Sequence, residues 1–295
     1  MFFLETFYDA IYEYDESKYV IFGVPYDNTS SFRAGSRWAP NKIREASLNF
    51  ETYDYYYDME FTDIPIHDAG NMDPSVPIQD TLDELYLSVF EILNDGKIPI
   101  MLGGEHSITY AAAKACAKKI KEDNIEKNVD TDFGYLVLDA HLDLREEYRG
   151  VKYNHACVLR NIYTEITENV AVIGARSGSK EEWEFAKENK IPVFTADDVI
   201  EYGVKDILKQ VNESMCSENI YLSLDMDVLD PAYCQGLGTP EPFGLTSINV
   251  RDIIREIAPK TCAFDIVEIA PEYDSGNSAI TAAKYVKEYV FSKEK

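Results

Sequence analysis

Seven short apolar runs, at 19–23, 98–102, 134–138, 169–173, 191–194, 219–224 and 262–267, recur along the sequence, and most of them do not alternate with polar residues. A strand with one solvated face alternates its inner and outer residues, whereas a strand covered on both faces has no need to. Segments of helical period fill the gaps. Leu82, Leu85, Tyr86, Val89 and Leu93 fall on one helix face, and Val250, Ile253, Ile254 and Ile257 repeat the pattern. Such alternation joins strands through crossovers into a parallel sheet with helices on both sides. The sequence therefore predicts an α/β fold. No Pro/Gly/Ser-rich linker and no fixed-period repeat divides residues 1–295, so a single domain is expected. The charged stretch 118–130 reads as a solvated helix end followed by a loop.

That architecture says where chemistry belongs. Open parallel sheets bind ligands at the carboxyl ends of their strands, so polar residues directly after the apolar runs are the candidates.

Charge narrows the partners. The chain sets 28 Lys+Arg against 53 Asp+Glu, a net charge of −25. Duplex binding needs clustered basic residues, so nucleic acid is excluded, while cationic small molecules and metal ions fit. Cys116, Cys157, Cys216, Cys234 and Cys262 are odd in number and lack a C-x-x-C spacing. They argue for a reducing compartment and against a disulfide framework. The N-terminus meets Glu5 at once and has no basic leader, and no apolar run approaches the ~20 residues of a membrane span. A cytoplasmic protein with no membrane partner is expected.

The sequence holds four histidines, so each can be weighed. His67, in Ile66-His67-Asp68, reads as structural. His106 follows a strand in Gly103-Gly104-Glu105-His106, and His141 follows another in Asp139-Ala140-His141-Leu142-Asp143. Alternate residues of an extended segment share a face, so the second run presents carboxylate, imidazole, carboxylate on one side. Asp225-Met226-Asp227 repeats the spacing after the 219–224 strand. Unpaired carboxylates converging at one sheet end repel one another, and burying them without cations is very costly. Divalent metals remove the conflict. Two imidazoles and four carboxylates around two ions suit manganese, with iron, cobalt or nickel as imitators. Two ions about 3.5 Å apart activate water for hydrolysis.

These three segments resemble the signatures of the ureohydrolase (arginase and agmatinase) family: Gly103-Gly104-Glu105-His106-Ser107, Asp139-Ala140-His141-Leu142-Asp143, and Ser223-Leu224-Asp225-Met226-Asp227 continuing to Pro231. The likeness extends to Gly23-Val24-Pro25-Tyr26-Asp27, Ser31-Phe32-Arg33-Ala34-Gly35, Gly238-Thr239-Pro240-Glu241-Pro242 and Asp265-Ile266-Val267-Glu268. It covers essentially the whole chain. The resemblance implies a single arginase-like catalytic domain with a roughly eight-stranded, mainly parallel sheet. It also implies two Mn(II) per chain. One ion would be held by His106, Asp139, Asp143 and Asp225, the other by His141, Asp139, Asp225 and Asp227. In that family the acid at the position of Asp143 also hydrogen-bonds the attacking hydroxide. Glu268 matches the carboxylate that receives the guanidinium group, His155 the histidine that moves a proton to the leaving amine, and Thr239 a substrate contact. Trimers or hexamers are implied as well.

Three positions depart from the family pattern. Gln235 stands where Pro is usual, Phe243 where a second Gly is common, and Trp38-Ala39-Pro40 replaces a Gly-Pro. The stretch from Asp143 to Ala156 is similar to the agmatinase branch, which implies hydrolysis of agmatine to putrescine and urea. If Arg145, Arg149 and Lys152 point outward into ion pairs with Glu146 and Glu147, the mouth stays negative and arginine's carboxylate is repelled. If Arg145 points inward, arginine or guanidinobutyrate becomes competitive. The alternatives are another ureohydrolase (an arginase, guanidinobutyrase or formimino hydrolase), a one-metal deacetylase of similar fold, or an inactive metal-binding protein.

Overall fold

All seven anticipated runs are strands of one parallel sheet in a computed structural model describing residues 6–75, 77–129, 132–215 and 217–295. Residues 1–5, Cys216 and the end of the charged stretch at Asp130 lie outside the described residues. The strands are β1 (Tyr19–Val24), β2 (Ile66–Asn71), β3 (Ile98–Gly103), β4 (Phe133–Leu138), β5 (Val170–Ala175), β6 (Val193–Thr195), β7 (Asn219–Asp225) and β8 (Thr261–Val267). Their order is β2-β1-β3-β8-β7-β4-β5-β6, and every neighbouring pair is parallel.

The eighth strand, β2, is the one that sequence patterning missed. Its residues Ile-His-Asp-Ala-Gly-Asn include a single large apolar side chain because it lies at the sheet edge. Its polar residues are spoken for. Asp68 pairs with the buried Arg44 through Nε at 2.8 Å and Nη2 at 2.9 Å, and it accepts the Phe7 N–H at 2.6 Å. His67 is structural as expected, its Nδ1 lying 2.9 Å from the Tyr12 carbonyl oxygen.

Side chains leave the central strands alternately to two apolar layers. Ile21, Ile100, Leu136, Leu222 and Phe264 meet α1 (Ala39–Ser47), α6 (Ala196–Tyr202), α7 (Val204–Met215), α8 (Ser247–Ile257) and α9 (Asn277–Glu294). Val20, Met101, Tyr135, Val172 and Tyr221 meet α2 (Ile78–Asn94), α3 (Thr109–Lys127), α4 (Val158–Glu165) and α5 (Lys180–Glu188). This two-sided burial explains why the strands read as unbroken apolar runs. The α8 stripe is buried at Val250, Ile253, Ile254 and Ile257. In α2 the buried set is Leu82, Leu85, Val89 and Ile92, with Tyr86 and Leu93 only partly covered. The solvated end of α3 is laced by Lys118–Glu122, Lys119–Asp123 and Lys127–Asp123 ion pairs.

Chain order and sheet order diverge in the middle. From β3 the chain leaves space for two strands, runs out through β4, β5 and β6, and returns to fill the gap with β7 and β8. Register then aligns Val267 with Asp225 and Leu138 with Leu224. Glu268, Asp225 and Asp139 thus leave the sheet almost level with one another. No helix among the described residues is long and apolar enough to cross a membrane.

Candidate metal centre and its cavity

Gly104 sets the first wall of the site. A Cβ there would sit 1.9 Å from the Tyr26 carbonyl oxygen, so only glycine lets the two backbones touch. The contact is closed by the Glu105 N–H, which donates to Tyr26 O at 2.7 Å. The chain then turns so that His106 enters the sheet end fully buried.

His106 faces three acids. Its Nδ1 lies 3.2 Å from Asp139 Oδ2, 3.2 Å from Asp143 Oδ2 and 3.3 Å from Asp225 Oδ2. Nevertheless it is one of two buried side-chain polar atoms among the described residues that have no hydrogen-bond partner. The other ring nitrogen explains the orientation. His106 Nε2 lies 3.0 Å from Ser223 Oγ, whose hydroxyl proton goes to Asp265 Oδ1 at 2.7 Å. Ser223 is left as an acceptor, so the imidazole proton belongs on Nε2 and the Nδ1 lone pair faces the acids. Asp265 is itself held by Thr109 Oγ1 at 2.8 Å and Tyr221 OH at 2.7 Å.

A second group adjoins the first. His141 Nδ1 is 2.9 Å from Asp227 Oδ2 and 3.6 Å from Asp139 Oδ1, so Asp139 turns one oxygen to each imidazole. Ligand atoms on neighbouring corners of an octahedron with bonds of about 2.1 Å are about 3 Å apart. The measured spacings of 2.9–3.6 Å match that edge. His106, Asp139 and Asp143 form one candidate metal-binding group, and Asp139, His141 and Asp227 form another. Asp225 reaches the first through Oδ2, while its Oδ1 accepts the Asp227 N–H at 2.9 Å.

The electrostatics call for cations. Burial pushes the Asp143 carboxyl up to about 7, with the Asp139 charge next in effect. Burial likewise drives Asp225 well above the usual carboxylate range, assisted by Asp227 and Asp139. Asp139 goes the other way: against its burial, His106 and His141 hold it low where they carry protons in place of a metal. Acids pushed toward protonation by burial and by each other are stabilised by a divalent ion between them. With an orphaned imidazole lone pair aimed at them, these residues fit a metal pair.

The remaining expected residues line the same cavity of about 360 Å³, together with Ser31, Arg145, Tyr148, Ser177 and Glu182. Glu268 anchors one wall, its Oε1 accepting the His106 N–H at 2.8 Å. Burial lifts its carboxyl to about 8, with Glu105 the next cause. Both Asp143 (φ 50°) and Glu268 (φ 65°) sit in left-handed backbone, a strained state that clusters at functional sites. Thr239 Oγ1 donates to Asp227 Oδ2 at 3.2 Å. His155 has its Nδ1 3.2 Å from Thr29 Oγ1, and burial lowers its pKa to about 4, so the ring is neutral.

The charged loop does not pair as expected. Arg145 lines the cavity and lies 3.4 Å from the buried Glu182, Lys152 binds Glu165 at 2.5 Å, and Arg149 reaches Ser31 O at 3.5 Å. Glu146 and Glu147 are exposed, and neither forms an ion pair with these cations. The physical reason is geometric: Glu182 is fixed as the N3 residue of the α5 capping box and also accepts the Leu144 N–H, which presents its carboxylate to Arg145.

Sequence reasoning missed several supporting residues. Ser223 and Asp265 were part of the quoted motifs without roles, although an acid inside the apolar β8 run was a signal. Arg176 gave none. It spends its guanidinium on backbone carbonyls of Gly174, Asp227, Val228, Leu229, Glu241 and Pro242, tying the loop after β7 to the segment beyond Thr239.

Comparison with known proteins shows the family. The arginase-family profile matches residues 17–292. An agmatinase of Bacillus cereus is 38% identical over 281 residues, covering 93% of this chain and 91% of that protein. An N(1)-aminopropylagmatine ureohydrolase of Thermococcus kodakarensis is 38% identical over 282 residues, covering 92% and 89%. The crystal structure of agmatine ureohydrolase from Thermoplasma volcanium superposes with a TM-score of 0.91 at 40% identity, covering 100% of this chain and 96% of that one. An eight-stranded parallel sheet, a buried His/Asp cluster at its centre and these relatives lead to one conclusion: the chain belongs to the arginase family and is a ureohydrolase.

Proposed function

We propose that the protein hydrolyses agmatine to putrescine and urea, using two Mn(II) ions held by His106, Asp139, His141, Asp143, Asp225 and Asp227. The observation that carries this reading is the unpartnered, buried His106 Nδ1 facing three carboxylates beside the His141–Asp227 pair, in one cavity with Glu268. A metal pair there supplies an activated water and Lewis-acid stabilisation of developing charge. The chain's own residues do the rest. Glu268 offers a carboxylate to the planar donor fork of a guanidinium, and its raised pKa falls as that cation binds. Asp143, a member of the cluster that also lines the cavity, offers a second acceptor, and Thr239 steadies Asp227. His155, neutral and facing the cavity, moves a proton to the departing amine.

Agmatine is favoured over arginine because a chain carrying −25 attracts a dication. Arg145 lines the cavity, the arrangement in which arginine and guanidinobutyrate compete, and the buried Glu182 at 3.4 Å offsets its charge there. An aminopropylated agmatine is the second reading, supported by the equal likeness to the Thermococcus kodakarensis relative. The proposal places the enzyme in the cytoplasm as a homo-oligomer of three or six chains, which sedimentation of the purified protein checks. The deciding experiment is metal analysis with urea release measured on agmatine, aminopropylagmatine, arginine and guanidinobutyrate, with and without manganese. Two ions per chain are expected, with agmatine at least ~100-fold above arginine in kcat/KM. One ion at saturation, or a preference for arginine, would overturn the corresponding half of the reading.

A further inference from the structure

Opposite the metal cluster, the loop after β1 folds over the cavity and brings Thr29 against His155. The loop is pinned by Asp27, whose buried carboxylate accepts the Gly35 N–H at 2.8 Å and bonds the Arg37 side chain. Thr29 is tied twice to Glu105. Its backbone N–H donates to Oε2 at 2.8 Å, and its hydroxyl donates to Oε1 at 2.6 Å, beside the Ser107 hydroxyl at 2.7 Å. A hydroxyl has one proton. Once that proton points to Glu105, the Thr29 oxygen can only accept. Two groups of His155 converge on it: the backbone N–H at 3.3 Å and ring Nδ1 at 3.2 Å.

We propose that Thr29 is a positioning residue for His155: its hydroxyl, turned toward Glu105, accepts the Nδ1 proton and leaves the Nε2 lone pair for the reacting groups in the cavity. The inference rests on the reading of His155 as a proton carrier. Among the described residues Nε2 has no hydrogen-bond partner, so the tautomer is set from one side only. In this arrangement Nε2 takes up the proton released by the water that adds to the guanidinium carbon and passes it to the nitrogen whose bond to that carbon breaks, and the ring returns to its starting form. The Nδ1–H stays on the ring throughout, and its bond to Thr29 strengthens while the imidazole is charged, as in other hydroxyl- or carboxylate-oriented histidines. Thr29 itself does not line the cavity and hydrogen-bonds none of the candidate metal ligands.

The test compares Thr29→Val, which keeps shape and the backbone N–H, with Thr29→Ser, which keeps the hydroxyl. Nitrogen-detected NMR of histidine-labelled protein, loaded with a diamagnetic divalent ion, reads the tautomer directly, and the His67→Gln variant assigns the other Nδ1-bonded ring. The expected result is an Nδ1–H His155 in the wild type and in Thr29→Ser, and loss of that signature in Thr29→Val. With manganese, Thr29→Val should lose kcat on the order of 10- to 100-fold, with KM within about threefold and metal content unchanged. Thr29→Ser should restore kcat. An Nε2–H ring in the wild type, an unchanged kcat in Thr29→Val, equal damage in Thr29→Ser, or loss of metal in Thr29→Val would each overturn the proposal. Absence of urea release by the wild type would instead overturn the functional reading, and the NMR result would stand independently of it.

Discussion

At the floor of the cavity Asp139, Asp225 and Asp227 are buried, and each accepts a backbone N–H: from His141 at 2.6 Å, Asp227 at 2.9 Å and Ala140 at 3.1 Å. At the rim Arg145 and Arg149 flank the Tyr148 ring at 5.2 and 5.3 Å. The floor holds like charges in low dielectric by fixing each carboxylate to the main chain. The rim holds opposite charges in water, where an ion pair contributes ~0–1 kcal/mol. One region is therefore expected to fail abruptly when altered and the other to change by degrees.

The largest effect should come from Asp225→Asn. It removes the carboxylate that faces His106 and braces Asp227 through its N–H, and which the family resemblance makes a shared ligand, so both ions should weaken and kcat should fall on the order of 10³-fold. The metal-free variant should melt above the metal-free wild type, because a buried acid crowded by Asp227 and Asp139 is gone. His106→Asn should chiefly weaken one ion. Metal analysis and calorimetry check this, and undiminished metal content would break the contrast at its stronger side.

Next in size is Ser223→Ala. Without the hydroxyl between His106 Nε2 and Asp265, the imidazole loses its orienting acceptor. Metal affinity should fall roughly 10- to 100-fold with little change in kcat at saturating manganese. Titration with a competing chelator reads it. An unchanged affinity would mean that Tyr135, whose OH lies 3.4 Å from the same nitrogen, suffices to hold the ring.

Arg145→Ala probes the rim and should move kcat/KM for agmatine by no more than about threefold, in a salt-dependent way. A tenfold or larger loss would place Arg145 functionally with the floor. The smallest effect belongs to Phe243→Gly. Phe243 adopts φ 66°, the left-handed region, where the family commonly has glycine. Relief of that strain, about 1–2 kcal/mol, is offset by glycine's added chain entropy of about 0.5–1 kcal/mol. A rise in Tm of a degree or two, with unchanged kcat, is the expected readout.

Much of this molecule was legible in its residues, for reasons that the contrast makes plain. Strands covered on both faces announce themselves as apolar runs, and all six interior strands did, as did the half-buried edge strand β6. The ligand candidates lie directly after those runs, at positions a parallel sheet is bound to gather. Their type also carried information, since acids and imidazoles in skip-one spacing after buried strands invite metal. The edge strand β2 stayed hidden because an edge needs little apolar surface. Phe243 was visible as a departure, but its backbone strain was not.

Tertiary structure alone decided the rest. Thr29 lies 126 residues from His155, Arg145 selects Glu182 over its neighbours Glu146 and Glu147, and Ser223 reaches 117 residues back to His106. Sequence by itself determines which side chains stand at which strand ends, because that follows from local pattern and a period. It does not determine which lone pair faces which proton. Those pairings depend on register between strands distant in the chain and on loops that close across them, and a hydrogen bond responds to shifts of a few tenths of an ångström that no local pattern encodes.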